Sequence, residues 1–396
     1  MKREEFVMKI GIVGNYGNNN NGDEAILAGI IEQLIEFYDI PRKNIVVFSN
    51  NPPQTSNRFG VESFPLYYKR SSATLTFMET IKKNSPLIRD LDFLIVGGGG
   101  ILMDFYNREA QLYGSYGMMA KWAKVPYIIY SCGAGPLKST VGKWFIRKLG
   151  NGAETVSVRD PASKKLLKRI GVKKDIEIIG DPSFALKLKN IKIRNPKIKK
   201  VGVTVVPYYN LAYWPSADDI KYDNYIQSMA DNLDKLIEVH HVDLTFFSTK
   251  FPHDVDVTVD VVARMKNQEK TYINRDNLSP QQLLDISAKQ DLVIGTRLHS
   301  VYLATNAETP VIAIAYHHKV KDFMEMAGLS ERCIRIDDLI KDDTVLTEKV
   351  SLLAKDWTEV NEGAKQLSKD MKESSLLGMA QFTAEKRRHY EANSSH

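Results

Sequence analysis

Cysteine is almost absent from this 396-residue chain. Only Cys132 and Cys333 occur, with no C-x-x-C spacing, so neither a disulfide framework nor a structural zinc site has enough ligands. That usage fits a reducing cytoplasm. No window of about 18 uninterrupted apolar residues occurs, so no helix is predicted to span a bilayer. The opening MKREEFVMKIGIVG sets acids inside a basic stretch and has only a short apolar run, unlike a signal peptide. The protein is expected to be soluble or peripheral. A large charge excess is also lacking. Lys plus Arg number 54 against 48 Asp plus Glu, a formal +6, which implies no nucleic-acid partner. His240, His241 and His253 lack carboxylate partners at metal spacing, and no metal is assigned. What is present is ordinary for a globular protein: 43% hydrophobic and 26% charged residues exclude disorder, and the length suggests two domains.

Apolar runs closed by Gly, Asn or Asp recur at 9–14, 44–49, 92–98, 126–132, 154–160 and 176–181, as continuous stretches that suit strands buried on both faces. Helical patterns lie between them, at 24–38 and near 108–124. The rhythm restarts after residue 200 with VGVTVVP, then 243–249, 291–296 and 310–316. This predicts an α/β protein of two doubly wound domains, an N-terminal one over 8–186 and a C-terminal one over 201–354. KLKNIKIRNPKIKK (187–200), with seven basic residues, no acid and one proline, reads as an exposed linker and hinge. The tail, 355–396, is helix-compatible and is expected, by analogy, to cross back to the first domain.

In open parallel sheets, ligands bind at the carboxyl ends of the strands, so the loops there are the candidates for chemistry. GNYGNNNNGDEAIL (14–27) joins the first strand to the first helix. Its glycines permit close backbone approach and its helix start offers amide donors, although Asp23 as a simple cap is the bland alternative. It is neither a G-x-G-x-x-G nor a Walker loop. IVGGGGILMDF (95–105) places four glycines where either a ligand or a close-packed helix must approach. SCGAGP (131–136) sets a tight turn. In SVRDPASKKLLKRIG (157–171), Arg159 stands at a strand end as a clamp for carboxylate or phosphate, or as half of a surface ion pair. The KKLLKR segment there is a basic face, either merely solvated or lying against anionic lipid. The sharpest motif is DLVIGTRLHSVYLATN (291–306) with PVIAIAYHHKVKDFMEMAGL (310–329). Thr296 as N-cap would put Arg297 and His299 in the first helical turn, where amides, a cation and a proton donor converge on an anion, with Lys319 adding a second cation. Tyrosines and Trp214 in VPYYNLAYWPS (206–216) suit either sugar stacking or a core or lid role.

Taken together, GNYGNNNNGDEAIL, FLIVGGGGILMD, SCGAGP, SVRDPAS with IGDPSFAL, GTRLHS and PVIAIAYHHKVKDF resemble the polysaccharide pyruvyl transferase family, most closely its bacterial CsaB type. The resemblance spans about residues 8–329, in the family's order. It implies a GT-B-like fold, two Rossmann-like domains facing across a cleft. It implies transfer of pyruvate from phosphoenolpyruvate onto a sugar as a 4,6-linked ketal with release of phosphate. The acceptor implied is N-acetylmannosamine of a lipid-linked amino-sugar disaccharide, a secondary cell-wall polymer precursor used in S-layer anchoring, met in the cytoplasm at the inner membrane leaflet. Phosphoenolpyruvate is then a substrate, and no cofactor is expected. The residues assigned to the donor are Arg159, Gly295, Thr296, Arg297, Leu298 and Lys319. Those assigned to the acceptor are Asn15, Tyr16, Asn21, Gly22, Glu24, Gly98, Gly99 and Asp104. His299 is the expected general acid, Arg297 the phosphate holder, and Asp23 or Glu24 the group that either accepts the sugar hydroxyl proton or only orients the sugar. Two other readings stay open: a GT-B nucleotide-sugar glycosyltransferase, and a hinged sugar-binding module without catalysis.

Overall fold

The computed structural model describes residues 8–104, 108–189, 192–210, 214 and 216–394, with the side chains of the last helix described to Met379 and at Phe382. Phe105 after the four glycines, Asn190 and Ile191 of the basic stretch, and Tyr213 and Pro215 of the aromatic stretch lie outside the described residues. The chain divides into two compact units. Unit 1 comprises Met1–Asn18, Asp23–Ala185 and Lys372–His396; unit 2 comprises Asn19–Gly22 and Leu186–Met371.

Unit 1 holds a seven-stranded sheet built from β1 (Ile10–Val13), β2 (Ile45–Ser49), β3 (Glu62–Pro65), β4 (Phe93–Leu102), β5 (Tyr127–Ala134), β6 (Val156–Val158) and β7 (Ile176–Ile178). The order is β3-β2-β1-β4-β5-β6-β7 and every pairing is parallel, with Ile10 beside both Ile45 and Phe93. Helices α1 (Asn21–Tyr38), α2 (Pro52–Phe59), α3 (Ala73–Arg89), α4 (Glu109–Ala123), α5 (Thr140–Gly152) and α6 (Pro161–Arg169) make the crossovers. The sheet is apolar on both faces because helices cover both, which is why its strands read as unbroken hydrophobic runs. The chain changes winding direction between β1 and β4, and that switch point is where such sheets form a crevice.

Unit 2 repeats the plan with β8 (Lys200–Val203), β9 (Asp243–Phe246), β10 (Thr271–Ile273), β11 (Leu292–Gly295), β12 (Val311–Ala315) and β13 (Cys333–Arg335), in the order β10-β9-β8-β11-β12-β13 and again all parallel. Its helices are α7 (Asp219–His240), α8 (His253–Arg264), α9 (Pro280–Ala288), α10 (Leu298–Asn306), α11 (His318–Met326), α12 (Ile336–Lys341) and α13 (Val345–Lys355). Val201 with Val203, Leu292 with Ile294 and Ile312 with Ile314 share one core with Tyr225, Met229, Leu233 and Leu236 of α7. These are the two-residue period of strands meeting the three-to-four-residue period of a helix. The switch point here lies between β8 and β11.

Helix α14 (Trp357–Ser394) starts in unit 2 and belongs to unit 1 from Lys372. In unit 1, Ser374 Oγ accepts from Gly180 N at 2.9 Å, and Phe382 packs edge-on against Tyr38 and Phe93. A Cβ at Gly378 would fall 2.1 Å from the Tyr130 ring, so only glycine lets the helix lie this close.

Two sequence expectations fail here. The 187–200 stretch is not simply exposed: Lys192 is buried in unit 2, donating to Ala288 O at 3.1 Å, Gln290 O at 2.7 Å and Thr309 Oγ1 at 2.7 Å. Three acceptors match the three protons of an ammonium, which is how a basic run gains a buried member. Burial pushes this lysine down to about 8, with nearby Asp291 opposing the change. The four glycines also do not form a loop after the strand but lie within β4. The edge strands β3, β10 and β13 were not anticipated, because three or four residues beside solvent leave little apolar signal.

Candidate functional site

At the switch point of unit 1 the first loop folds onto the start of α1. Asp23 is not the cap of that helix but lies inside its first turn, where Asn15 Nδ2 donates to its Oδ2 at 2.8 Å. Glu24 is buried and accepts from Gly17 N at 2.7 Å. A Cβ at Gly99, whose φ is +77°, would stand 2.9 Å from Asp23 Oδ1. Asn15, Asp23, Glu24 and Gly99 are therefore brought together.

Other acceptor assignments become structural ones. Gly98 is occupied by packing, since a Cβ there would fall 1.9 Å from Ile26 Cγ2 of α1. The close-helix alternative holds at this glycine. Tyr16 is fully buried with its hydroxyl on Gly97 O, which places it in the core rather than in a ligand surface. Asp104 anchors the start of α5, accepting from Lys138 N at 2.8 Å, Ser139 N at 2.7 Å and Ser139 Oγ at 2.7 Å. Burial raises its carboxyl, but these hydrogen bonds outweigh that and hold it below its usual range.

Arg159 lies in unit 1 as half of a buried pair with Asp181, Nη1 to Oδ2 at 3.4 Å, and not as an exposed clamp or surface pair. A Cβ at Gly133 of the SCGAGP turn would come within 3.1 Å of the guanidinium, so that glycine makes room for the arginine. The donor assignment of Arg159 thus meets a carboxylate of the protein itself.

Unit 2 gathers the sharper constellation. Helix α10 begins one residue later than expected: Arg297 occupies the N-cap position, and Thr296 is buried behind it with its N donating to Thr204 Oγ1 at 3.0 Å. Thr204 follows β8 and also meets Ser300 Oγ at 3.0 Å, so the two strands at the switch point are stitched by hydroxyls just below α10. Leu298 and His299 form the first turn. Their neighbourhood carries the partial positive charge of a helix start, which favours an anion.

The guanidinium of Arg297 is held by Asp254 of α8. Its Nε lies 2.9 and 2.8 Å from the two carboxylate oxygens, and Nη2 lies 2.6 Å from Oδ1. Asp254 is fully buried and also accepts from Lys250 N at 2.9 Å. This two-pronged geometry fixes the plane of the guanidinium. Tyr225 stands near the pair: burial raises its phenol above the usual range, Asp254 adds to that, and a Val206 N–H and Arg297 oppose it.

Residues 19–22 belong to this unit. Asn21 N donates to Thr249 O at 2.9 Å, Phe251 N to Asn19 O at 3.1 Å, and Asn20 pairs antiparallel with Lys250. Asn277 links Asn19 and Asn21 through side-chain amides at 3.2 and 3.1 Å. The asparagine run is thereby explained: amides that both donate and accept tie one loop to another. Gly22 then lies directly against the imidazole, and a Cβ there would fall 2.2 Å from His299 Nδ1. The structure thus joins Asn21, Gly22, Arg297 and His299, which are far apart in sequence.

On the neighbouring strand end, Lys319 N donates to His317 Nδ1 at 3.3 Å, and His317 caps α11. Loss of solvent around its ring, then His318 and Lys319, push His317 down to about 4. Tyr208, Tyr209, Trp214 and Tyr316 form an aromatic cluster after β8 and β12, with Tyr208 and Trp214 centroids 5.4 Å apart and Trp214 and Tyr316 5.9 Å. Sequence reasoning missed Asp254, Thr204 and Asn277. The first was findable, since FFSTKFPHD places an acid at the helix start that follows a strand run and its loop.

Fold and site together define a protein of two Rossmann-like domains, GT-B-like in architecture. Solved structures of this fold include the Neisseria meningitidis UDP-GlcNAc 2-epimerase bound to UDP-GlcNAc, with a TM-score of 0.60 and 11% identity, covering 95% of this chain and 99% of that one. Anabaena HepE in complex with UDP and glucose matches with a TM-score of 0.60 and 13% identity, covering 96% and 99%. Residues 20–318 match the polysaccharide pyruvyl transferase family, and the chain belongs to it. The amylovoran biosynthesis protein AmsJ of Erwinia amylovora is 22% identical over 417 aligned residues, covering 94% of this chain and 97% of its own. The protein is therefore a transferase with a pyruvyl-transfer role in polysaccharide biosynthesis. Among the described residues, no helix is long and apolar enough to cross a membrane.

Proposed function

We propose that the donor is phosphoenolpyruvate and that the product is a 4,6-linked pyruvate ketal on a sugar of a lipid-linked polysaccharide precursor, with release of inorganic phosphate. The observation that carries this reading is the first turn of α10, where His299 abuts Gly22 and Arg297 is fixed by Asp254. A small anion with a phosphate and a carboxylate needs several donors at once. The helix-start amides supply partial charge there, and Lys319 is the proposed second cation. The charge of Arg297 is largely balanced by Asp254, so its contribution is directional hydrogen bonding more than net attraction.

In the proposed reaction, His299 as imidazolium gives its proton to the methylene carbon of the donor, which becomes a methyl group. The adjacent carbon takes on oxocarbenium character, and a sugar hydroxyl adds to it, losing its proton to a base. The carbon–oxygen bond to phosphate then breaks, and a second hydroxyl of the same sugar closes the ring with loss of its own proton. Asp23 is the proposed base, set by Asn15. Positive donors facing the bridging oxygen stabilise the departing phosphate.

The CsaB resemblance favours N-acetylmannosamine of a secondary cell-wall polymer as acceptor. The likeness to the amylovoran biosynthesis protein AmsJ favours a sugar of an amylovoran-like polymer instead. Incubating the protein with phosphoenolpyruvate and each synthetic lipid-linked acceptor, with mass spectrometry of products and a phosphate assay, decides between them. Phosphate release without any sugar product, or a product formed only from a UDP-sugar, would overturn pyruvyl transfer from phosphoenolpyruvate.

A further inference from the structure

Unit 1 exposes an apolar face that its own core does not use. On α3, Leu75 and Met78 are 50% and 61% exposed; on α5, Val141 and Trp144 are 51% and 41% exposed. Both pairs are spaced three residues apart, so each lies on one helix face. Those helices turn other residues inward: Thr80, Asn84 and Ile88 from α3, and Gly142, Ile146 and Leu149 from α5. The two exposed faces are joined, because Phe77 of α3 meets Phe145 of α5 at 6.2 Å between ring centroids and Trp144 meets Phe145 at 4.9 Å. Gly114 of α4 permits this approach, as a Cβ there would lie 2.7 Å from the Phe145 ring. Beside these rings opens a cleft of about 590 Å³, lined by Tyr67, Phe77, Leu112 and Phe145, with Arg70 and Arg108 among its polar walls.

The charge around this face is predominantly positive: in the cleft Glu109 stands against Lys69, Arg70 and Arg108. Residues 137–153 contain Lys138, Lys143, Arg147 and Lys148 and no acid. Helix α3 carries Lys82, Lys83 and Arg89 against the single Glu79, whose carboxylate is bound by Arg70 at 2.9 Å. Lys148 also reaches over the Trp144 ring, 5.9 Å from its centroid. Exposed apolar and aromatic side chains amid lysines and arginines are what an anionic bilayer surface selects, the rings entering the headgroup layer and the cations remaining above the phosphates. A second copy of this chain would set lysine against lysine across a symmetric contact.

We propose that the α3–α5 face of unit 1 docks this protein on a membrane surface rich in anionic lipid headgroups. The docking rests on unit 1 alone and does not depend on which donor unit 2 binds. It also differs from the expectation raised by the KKLLKR segment. Lys165, Lys168 and Arg169 of α6 are exposed, but Leu167 is buried and Leu166 half-buried, so that helix offers charge without an apolar face to insert.

Flotation of the full-length protein with vesicles of phosphatidylcholine, and of phosphatidylcholine mixed with phosphatidylglycerol, tests this. Binding is expected only to the mixed vesicles and is expected to weaken as salt screens the lysines. Met78→Ser with Trp144→Ser should weaken it by about tenfold or more. Lys138→Gln, Arg147→Gln and Lys148→Gln together should weaken it by about a hundredfold. Lys165→Gln with Lys168→Gln should leave it unchanged, and Val141→Ser serves as a second apolar test should the double serine variant fail to fold. Binding to neither vesicle overturns the proposal, as does a loss that follows the α6 variant instead. A concentration-dependent dimer in sedimentation, abolished by Trp144→Ser, would assign the face to a second copy.

Discussion

Asp254 grips Arg297 from beneath the first turn of α10, with Nε and Nη2 both on a carboxylate that no solvent reaches. Removing one partner of such a pair leaves a buried charge uncompensated, at a cost of about 3–5 kcal/mol. Asp254→Asn is therefore expected to lower unfolding free energy by about 3 kcal/mol in a urea titration, and to lower kcat for pyruvyl transfer in the fraction that stays folded. A variant within about 0.5 kcal/mol of wild type would show that the pair is not a structural anchor.

Gly22 and His299 make the second relationship. A Cβ 2.2 Å from Nδ1 must move the imidazole, and a misplacement near 1 Å costs about a hundredfold in rate. Gly22→Ala should lose about that much turnover while its melting curve changes little. Wild-type turnover in this variant would mean the ring's position is irrelevant to the chemistry.

The roles proposed for His299 and Arg297 separate in kinetics. His299→Ala should depress kcat by about 10²–10⁴ with donor binding nearly intact, whereas Arg297→Ala should weaken donor binding as well as turnover. Donor affinity measured by calorimetry beside steady-state rates distinguishes them. Near-normal kcat for His299→Ala would remove it as the acid.

His317 supplies a pH dependence with a definite sign. Its Nδ1 accepts Lys319 N–H only while unprotonated, and its folded value is pushed down to about 4, against about 6.5 in an unfolded chain. Between those values the unfolded state binds more protons, so this stabilisation is full above about pH 6.5 and is lost as pH falls towards 4. An NMR titration of His317 should show a midpoint near 4, and His317→Asn, a cap that does not titrate, should flatten stability over that window. A midpoint at the ordinary histidine value would refute the assignment.

Lys192 gives a further stability test. Lys192→Met keeps the stem but removes three hydrogen bonds to buried acceptors, so a loss of about 2–3 kcal/mol is expected in chemical denaturation. No loss would mean that those acceptors find other partners.

The sequence by itself determined the class of each unit and the place to look. Unbroken apolar runs such as LVIG and VIAIA are the mark of strands covered on both faces, and in parallel sheets the chemistry gathers where those runs end; GTRLHS was legible for that reason. Tertiary structure alone decided which polar residues meet. Nothing local says that Arg159 spends its guanidinium on Asp181, that Gly98 yields to Ile26, that Lys192 is buried, or that Asp254 supports Arg297. An ion pair or a close approach depends on two segments whose separation in sequence carries no energy, so its outcome is fixed only when packing brings them within a few ångströms.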